Sequence, residues 1–304
     1  MAQVGNIMTE EKQIYLLNLL KDMINKYKSS TNLQEKEQYL SSINNFGSSF
    51  EYALSSVHEE FLYRIYELIS IEGIDTYLSE FNKEQDLRYR RVYNKSYNYD
   101  YLKYLINNID ISTEEHTKYV FATNDWYIKD YLKECEYLLF KYRQDSQSVI
   151  IDDNFLNSCS ITLYNNLNII LMNKLDIPTL FHEFLHGIYL NTITIYRETP
   201  NILGELALRK QYCLNSTIDR LEVLKIAKKL NSTIFSNKYY LIGTILSHAI
   251  INKYGSDFKT INYFMNLISK NDQIDLKSML QLCNISEQDI FASFNKSKSY
   301  VYER

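Results

Sequence analysis

In the stretch "DIPTLFHEFLHGIYL", Asp176 to Leu190, His182 and His186 stand four residues apart, with Glu183 directly after the first. On a helix that spacing places both imidazoles on one face, a turn apart, where their nitrogens can meet a single ion. Zinc takes imidazole nitrogen at about 2.0–2.1 Å in a tetrahedral set. Glu183 is displaced around the helix yet still reaches a water at that ion. The three residues therefore form the His-Glu-x-x-His pattern of zinc hydrolases, with the glutamate as general base. Phe181, Phe184, Leu185 and Ile188 make the same helix apolar all round. Two imidazoles and a carboxylate in such surroundings are costly unless something pairs with them.

A catalytic zinc needs a third protein ligand and one open position. Thr192 occupies the place where a further histidine would mark another zinc-hydrolase class, and no histidine follows until His248. The carboxylate candidates are Glu198 and Glu205. Glu205 falls in the second turn of "TPNILGELALRK", where a side chain can point back across a helical hairpin. Glu198 precedes that helix's cap, on a loop expected to face solvent. Sites on rigid elements hold geometry better, so Glu205 is preferred. The expected centre is one zinc ion per chain held by His182, His186 and Glu205, with Glu183 activating water.

Both prolines of the chain stand at helix entrances. Pro178 lies in the first turn of the histidine helix, with Asp176 as its N-cap, and Pro200 follows Thr199 at the head of the Glu205 helix. A first-turn proline loses nothing there, because its missing N–H has no helical partner. Only two prolines and seven glycines interrupt 304 residues, which favours long helices over a many-turned β fold. From about Glu10 to Arg143 the pattern is helical. Ile14, Leu17, Leu20, Ile24 and Tyr27 share a stripe, "FEYALSSVHEEFLYRIYELISI" and "TNDWYIKDYLKECEYLLFKY" each read as a helix, and Thr113 starts another. Between Ser146 and Met172, "SVIID", "CSITLY" and "LNIILM" are short β-branched runs that suit a small sheet. The expected organisation is a helical lobe over 1–145 and a zinc-binding region over 146–304. "LNIILM" is read both as a core strand and as an edge that pairs with an extended substrate.

A formal charge of −4 supports neither a nucleic-acid partner nor an anionic membrane. "LRYRRVYNKSYNYDYLKY" places Arg88, Arg90, Arg91 and Lys95 among tyrosines, but Tyr89, Tyr93, Tyr97 and Tyr101 recur every four residues, as one helical packing face does. The N-terminus lacks a basic segment followed by an apolar run, and no apolar stretch reaches the length of a membrane span. Cys135, Cys159, Cys213 and Cys283 are scattered, without a CxxC pair, and read as free thiols of a cytoplasmic protein. His58 and His116 have no metal-like neighbours in sequence.

The last half of the chain resembles the oligoendopeptidase F/thimet oligopeptidase group of zinc peptidases, family M3. "CSITLYNNLNIILMNKLDIPTLFHEFLHG" is similar to that family's strands and zinc helix, "ETPNILGELALRK" to its third-ligand helix, and "NKYYLIGTILSHAI" to its tyrosine-bearing helix. The resemblance implies a mainly α, zincin-type (gluzincin) fold with a small sheet next to the active-site helix. It also implies an endopeptidase for short, extended peptides, with the helical first half as one wall of a deep cleft. Tyr240 matches a family tyrosine that stabilises the tetrahedral intermediate, with Tyr239 as the fallback, while His248 reads as a core histidine. The chain departs from the family in several places. Members are near twice this length, Leu185 replaces a glycine of the motif, the interval from His186 to Glu205 is short, and no histidine precedes Tyr240. Those losses keep a rival reading open, in which the protein retains zinc but binds peptides or a partner without catalysis.

Overall fold

The computed structural model describes residues 8–54, 59–70, 73–81, 83, 99–111, 125–143, 147–164, 167–190, 192, 194–214 and 220–295. His58, Thr113, His116 and the arginine–tyrosine run from Arg88 to Tyr97 lie outside them. The protein is mainly helical with one small sheet. The chain divides into two compact units, Met1–Arg90 with Phe140–Leu175, and Arg91–Leu139 with Asp176–Arg304.

In the first unit, helices α1 (Glu10–Ser29), α2 (Leu33–Ala53), α3 (Glu59–Ile69) and α4 (74–81) share a core with strands β1 (Gln147–Ile151), β2 (Cys159–Thr162) and β3 (Asn168–Met172). The stripe that α1 buries is Leu16, Leu20, Met23, Ile24 and Tyr27. Ile14, expected on it, is 50% exposed, because the buried face is centred on the 16–20–23–27 row. The single helix expected over "FEYALSSVHEEFLYRIYELISI" is two. Leu54 turns extended and bridges Phe155, and the Leu156 N–H donates to the Ala53 carbonyl, so pairing with a segment far along the chain ends α2.

The three strands fall where the β-branched runs predict, in the order β1–β3–β2, with β1 parallel and β2 antiparallel to β3. Two consequences correct the sequence reading. "LNIILM" is the central strand, buried along its length, with both of its edges already paired. It has no free ladder to offer a substrate. The sheet also belongs with the N-terminal helices, so packing does not separate the chain at 145/146 and the strands are not part of the unit that carries the histidine helix. The cause is local: β2 lies on α2, and the Cys159 thiol donates to the Ser49 carbonyl.

The second unit contains α5 (Tyr99–Asn108), α6 (Trp126–Tyr131), part of α7 (Glu136–Arg143), and helices α8 (Ile177–Ile188), α9 (Thr199–Tyr212), α10 (Arg220–Lys229), α11 (Ile234–Tyr254), α12 (Phe258–Lys270), α13 (Leu276–Leu282) and α14 (Glu287–Asn295). "TNDWYIKDYLKECEYLLFKY" is again two helices. The Tyr131 ring packs edge-on against Phe181, Tyr212 and Phe258, its hydroxyl donates to the Ser256 carbonyl, and the chain turns after it. Tertiary packing overrides a continuous helical pattern here. Among the described residues no helix is long and apolar enough to cross a membrane, and all four cysteines are free thiols.

Helix α9 is the centre of this unit, packed against α8, α11 and α12. Its contact with α8 depends on Gly204. A Cβ there would lie 2.3 Å from Leu185 Cδ1, 3.2 Å from Phe181 Cε1 and 3.5 Å from Met265 Sδ. Leu185 thus fills the space that Gly204 leaves. Gly204→Ala is expected to lower stability by about 1–2 kcal/mol, the overpacking cost exceeding alanine's helix-propensity gain. A denaturant-unfolding midpoint unchanged or raised in that variant contradicts this close approach.

Candidate metal centre

Helix α8 starts where the sequence places it, with Asp176 at the N-cap and Pro178 in the first turn. The Asp176 carboxylate accepts from the Thr179 hydroxyl and makes no bond to the helix's own N–H groups. The helix is buried from Ile177 to Leu185 and only partly buried from His186 onward, so His186 marks its open end. Helix α9 begins one residue earlier than expected, at Thr199, with Glu198 in the cap position. Glu198 therefore does not project into solvent. It is 4% exposed and shares a helix face with Glu205, seven residues on.

That shift brings Glu198, not Glu205, to the Nε2 atoms of the two histidines. Glu198 Oε2 lies 3.5 Å from His182 Nε2 and 3.4 Å from His186 Nε2, and the ligand atoms of these three residues all lie within 4.8 Å of one another. Tetrahedral ligands at about 2.0–2.1 Å from an ion are about 3.3–3.4 Å apart, so the two Glu198 separations match edges of a zinc site. Glu198 Oε2 is buried and makes no hydrogen bond. A carboxylate oxygen in that position, facing two imidazole nitrogens, is a group in want of a cation.

Glu205, the ligand expected from sequence, is fully buried but faces the other side of the ring. Its Oε2 lies 3.0 Å from His182 Nδ1, at hydrogen-bonding distance. It also accepts from Arg220, through Nε at 3.1 Å and through Nη2. Arg220 Nη2 comes within 3.1 Å of the same Nδ1. Glu205 thus stands where an outer carboxylate would hold His182 in the tautomer that leaves Nε2 free. On the second histidine, Asn201 Nδ2 lies 2.9 Å from His186 Nδ1 and also donates to the Arg197 carbonyl, while Asn201 Oδ1 is buried without a hydrogen bond. Ligation through His186 Nε2 requires the amide turned so that Oδ1 accepts from Nδ1–H.

Glu183 is brought to the same place, buried in the turn between the two histidines. Burial raises its pKa, against the lowering effect of His186 and His182. Tyr240 is half-buried on α11, with the Arg220 guanidinium 5.7 Å from its ring centroid. Tyr239 carries Arg197 at 4.1 Å. His248 packs its ring against Phe294, 4.9 Å between centroids, as a core histidine does.

Three carboxylates, Glu183, Glu198 and Glu205, meet one buried arginine. With all three carboxylates ionised and the imidazoles neutral, the group is two positive charges short, which a divalent ion would supply. Without metal, protons substitute. Burial and the Arg220 charge press the His182 pKa down, but Glu198 and Glu205 outweigh them and lift it to about 9. Glu205 is held at about 2, its burial cost overcome by Arg220 and His182, and Glu198 is held well below the usual carboxylate range against its own burial, chiefly by His186. A raised histidine pKa contributes stability in full below its unfolded value of 6.5 and loses it as pH climbs through about 9. Glu183, raised by burial, acts in the same direction. The lowered glutamates contribute above 4.5 and lose that contribution as pH falls toward 2. The chelated protein is therefore expected to melt at its highest temperature between about pH 4.5 and 6.5 and progressively lower toward pH 9. The zinc-loaded protein should lose that alkaline limb. Parallel melting curves with and without zinc would count against proton–metal exchange at this centre.

Comparison of the chain with protein-family models, with curated proteins and with solved structures returned no match. The functional reading therefore rests on the site itself. Sequence reasoning placed His182, Glu183 and His186 together, demoted Glu198, and missed Arg220 and Asn201. The available signal was the "RETP" stretch, since a carboxylate just ahead of a proline-headed helix is favoured by that helix's N-terminal dipole.

Proposed function

We propose that the protein is a zinc-dependent peptidase that hydrolyses short, extended peptides. His182, His186 and Glu198 hold the metal and Glu183 is the general base. The observation that carries this reading is the convergence of two imidazole Nε2 atoms and an unsatisfied Glu198 oxygen at tetrahedral spacing. Two imidazoles and one carboxylate suit zinc better than magnesium or calcium, and three protein ligands leave a position open for chemistry. The resemblance to M3 peptidases supports peptide as the substrate class.

Zinc bound there supplies Lewis acidity, lowering the pKa of a water to roughly 7 and polarising the scissile carbonyl. Glu183 takes a proton from the attacking water as the C–O bond forms. It then passes that proton to the departing amine as the C–N bond breaks. Glu205, fixed by Arg220, orients His182 through Nδ1 and does not touch the substrate. Tyr240 is the candidate donor to the developing oxyanion.

The direct test measures bound metal by elemental analysis and then presents a pool of short peptides, with products read by mass spectrometry. Zinc near one per chain, and cleavage that stops on chelation and returns with zinc, are the expected results. Zinc without cleavage of any peptide would favour the non-catalytic, peptide-binding reading. A protein that takes up no zinc would remove the centre altogether.

A further inference from the structure

The open side of the metal centre is not neutral. Arg197, directly ahead of Glu198, has a side chain 46% exposed. Its guanidinium lies 4.1 Å from the Tyr239 ring centroid, and its Nε is 3.5 Å from Glu198 Oε1. Its backbone carbonyl is pinned by Asn201, which also contacts His186. Stacking on an aromatic ring fixes the plane of a guanidinium and leaves its edge available. Among the described residues the terminal Nη1 and Nη2 groups have no acceptor. Lys238 adds a second positive charge over the same ring, 5.0 Å from its centroid. A partly exposed guanidinium held over an aromatic ring beside Glu198 is an arrangement that can receive a carboxylate bidentately.

We infer that Arg197, stacked on Tyr239, binds a carboxylate of the peptide substrate within about two or three residues of the scissile bond. This deepens the peptidase reading and rests on it for the word substrate. The carboxylate comes either from the peptide's C-terminus or from an aspartate or glutamate side chain. A C-terminal source would make the enzyme release short C-terminal fragments, and a side-chain source would make it select acidic sequences. Lys238 reinforces the field, while Arg197 supplies the geometry, so replacing the arginine by lysine keeps the charge but loses the fork.

The test measures binding apart from turnover. The zinc-loaded, full-length Glu183→Gln protein is titrated with one fluorescent-labelled peptide in three forms: with an internal aspartate and a free C-terminus, as the C-terminal amide, and with that aspartate changed to asparagine. Loss of one carboxylate is expected to weaken binding roughly tenfold to a hundredfold, as a charge-assisted hydrogen-bond pair does, and which form loses identifies the source. Adding Arg197→Gln should erase the difference, and adding Arg197→Lys should restore only part of it. Tyr239→Leu, which removes the stack but not the charge, should narrow it. Equal binding of all three forms, binding of none, or a preference that survives Arg197→Gln would each overturn the inference. Cleavage of the same peptides by the wild-type protein tests the peptidase reading separately. A carboxylate preference without cleavage leaves the Arg197 site standing and removes the enzyme, while cleavage without a preference does the reverse.

Discussion

Glu183→Gln is expected to keep zinc near one per chain and to lose peptide cleavage by roughly 10²–10⁴-fold, the usual contribution of a positioned general base. Glutamine fills the same volume between His182 and His186 and keeps a polar group in a buried turn, but it cannot accept the proton of the attacking water. The position suits a base. Burial raises the Glu183 pKa, and the nearby positive charges counteract that rise. A divalent ion at the Nε2 atoms would add to that counteracting charge and favour the carboxylate form, which can accept a proton from the attacking water. The loss should fall on kcat with KM little changed, because the group acts in the transition state and is not needed to hold the peptide. Cleavage by the glutamine variant at the wild-type rate, with zinc content equal, would remove Glu183 from the mechanism.

The sequence made the histidine helix legible because a four-residue spacing of histidines needs only local geometry to converge. Short β-branched runs bounded by Asn, Asp and Ser likewise located the three strands. What it could not supply was anything decided between elements. Whether "LNIILM" is an edge or a centre depends on which strands pair with it, and β1 reaches it from the far side of a crossover. Ile14 and Leu16 are both apolar and near neighbours on α1, and only the partner helices choose between them. Glu198 was misjudged for a related reason. Its burial turned on a helix boundary one residue earlier than the proline and threonine suggested, and boundaries are the least local part of a helix. Arg220 carries no motif. It enters the candidate site only because α10 brings it to a carboxylate fifteen residues earlier on α9.

The choice between Glu198 and Glu205 has the second largest measurable consequence. Zinc bound by four protein ligands is worth about 10–16 kcal/mol, or roughly 3 kcal/mol per ligand, so loss of a true ligand weakens the metal by about 10²–10³-fold. Glu198→Ala should show that loss. Glu205→Gln should lose only about 10–100-fold, the usual effect of disturbing an outer partner of a ligating histidine. The two sites should also separate in stability without metal. Glu205 neutralises Arg220, which is itself 4% exposed, and breaking a buried pair from one side costs about 3–5 kcal/mol. Glu205→Ala should therefore unfold the chelated protein at much lower denaturant. Glu205→Met combined with Arg220→Met should recover much of that stability by removing both charges, yet leave His182 Nδ1 without its acceptor and zinc still weakened. Glu198→Ala leaves Arg220 paired and should fold normally while failing to hold zinc. The reverse pattern, with zinc retained by Glu198→Ala and abolished by Glu205→Gln, would restore Glu205 as the ligand. It would also require His182 to turn its Nδ1 side toward the ion, against the present contacts with Glu205 and Arg220.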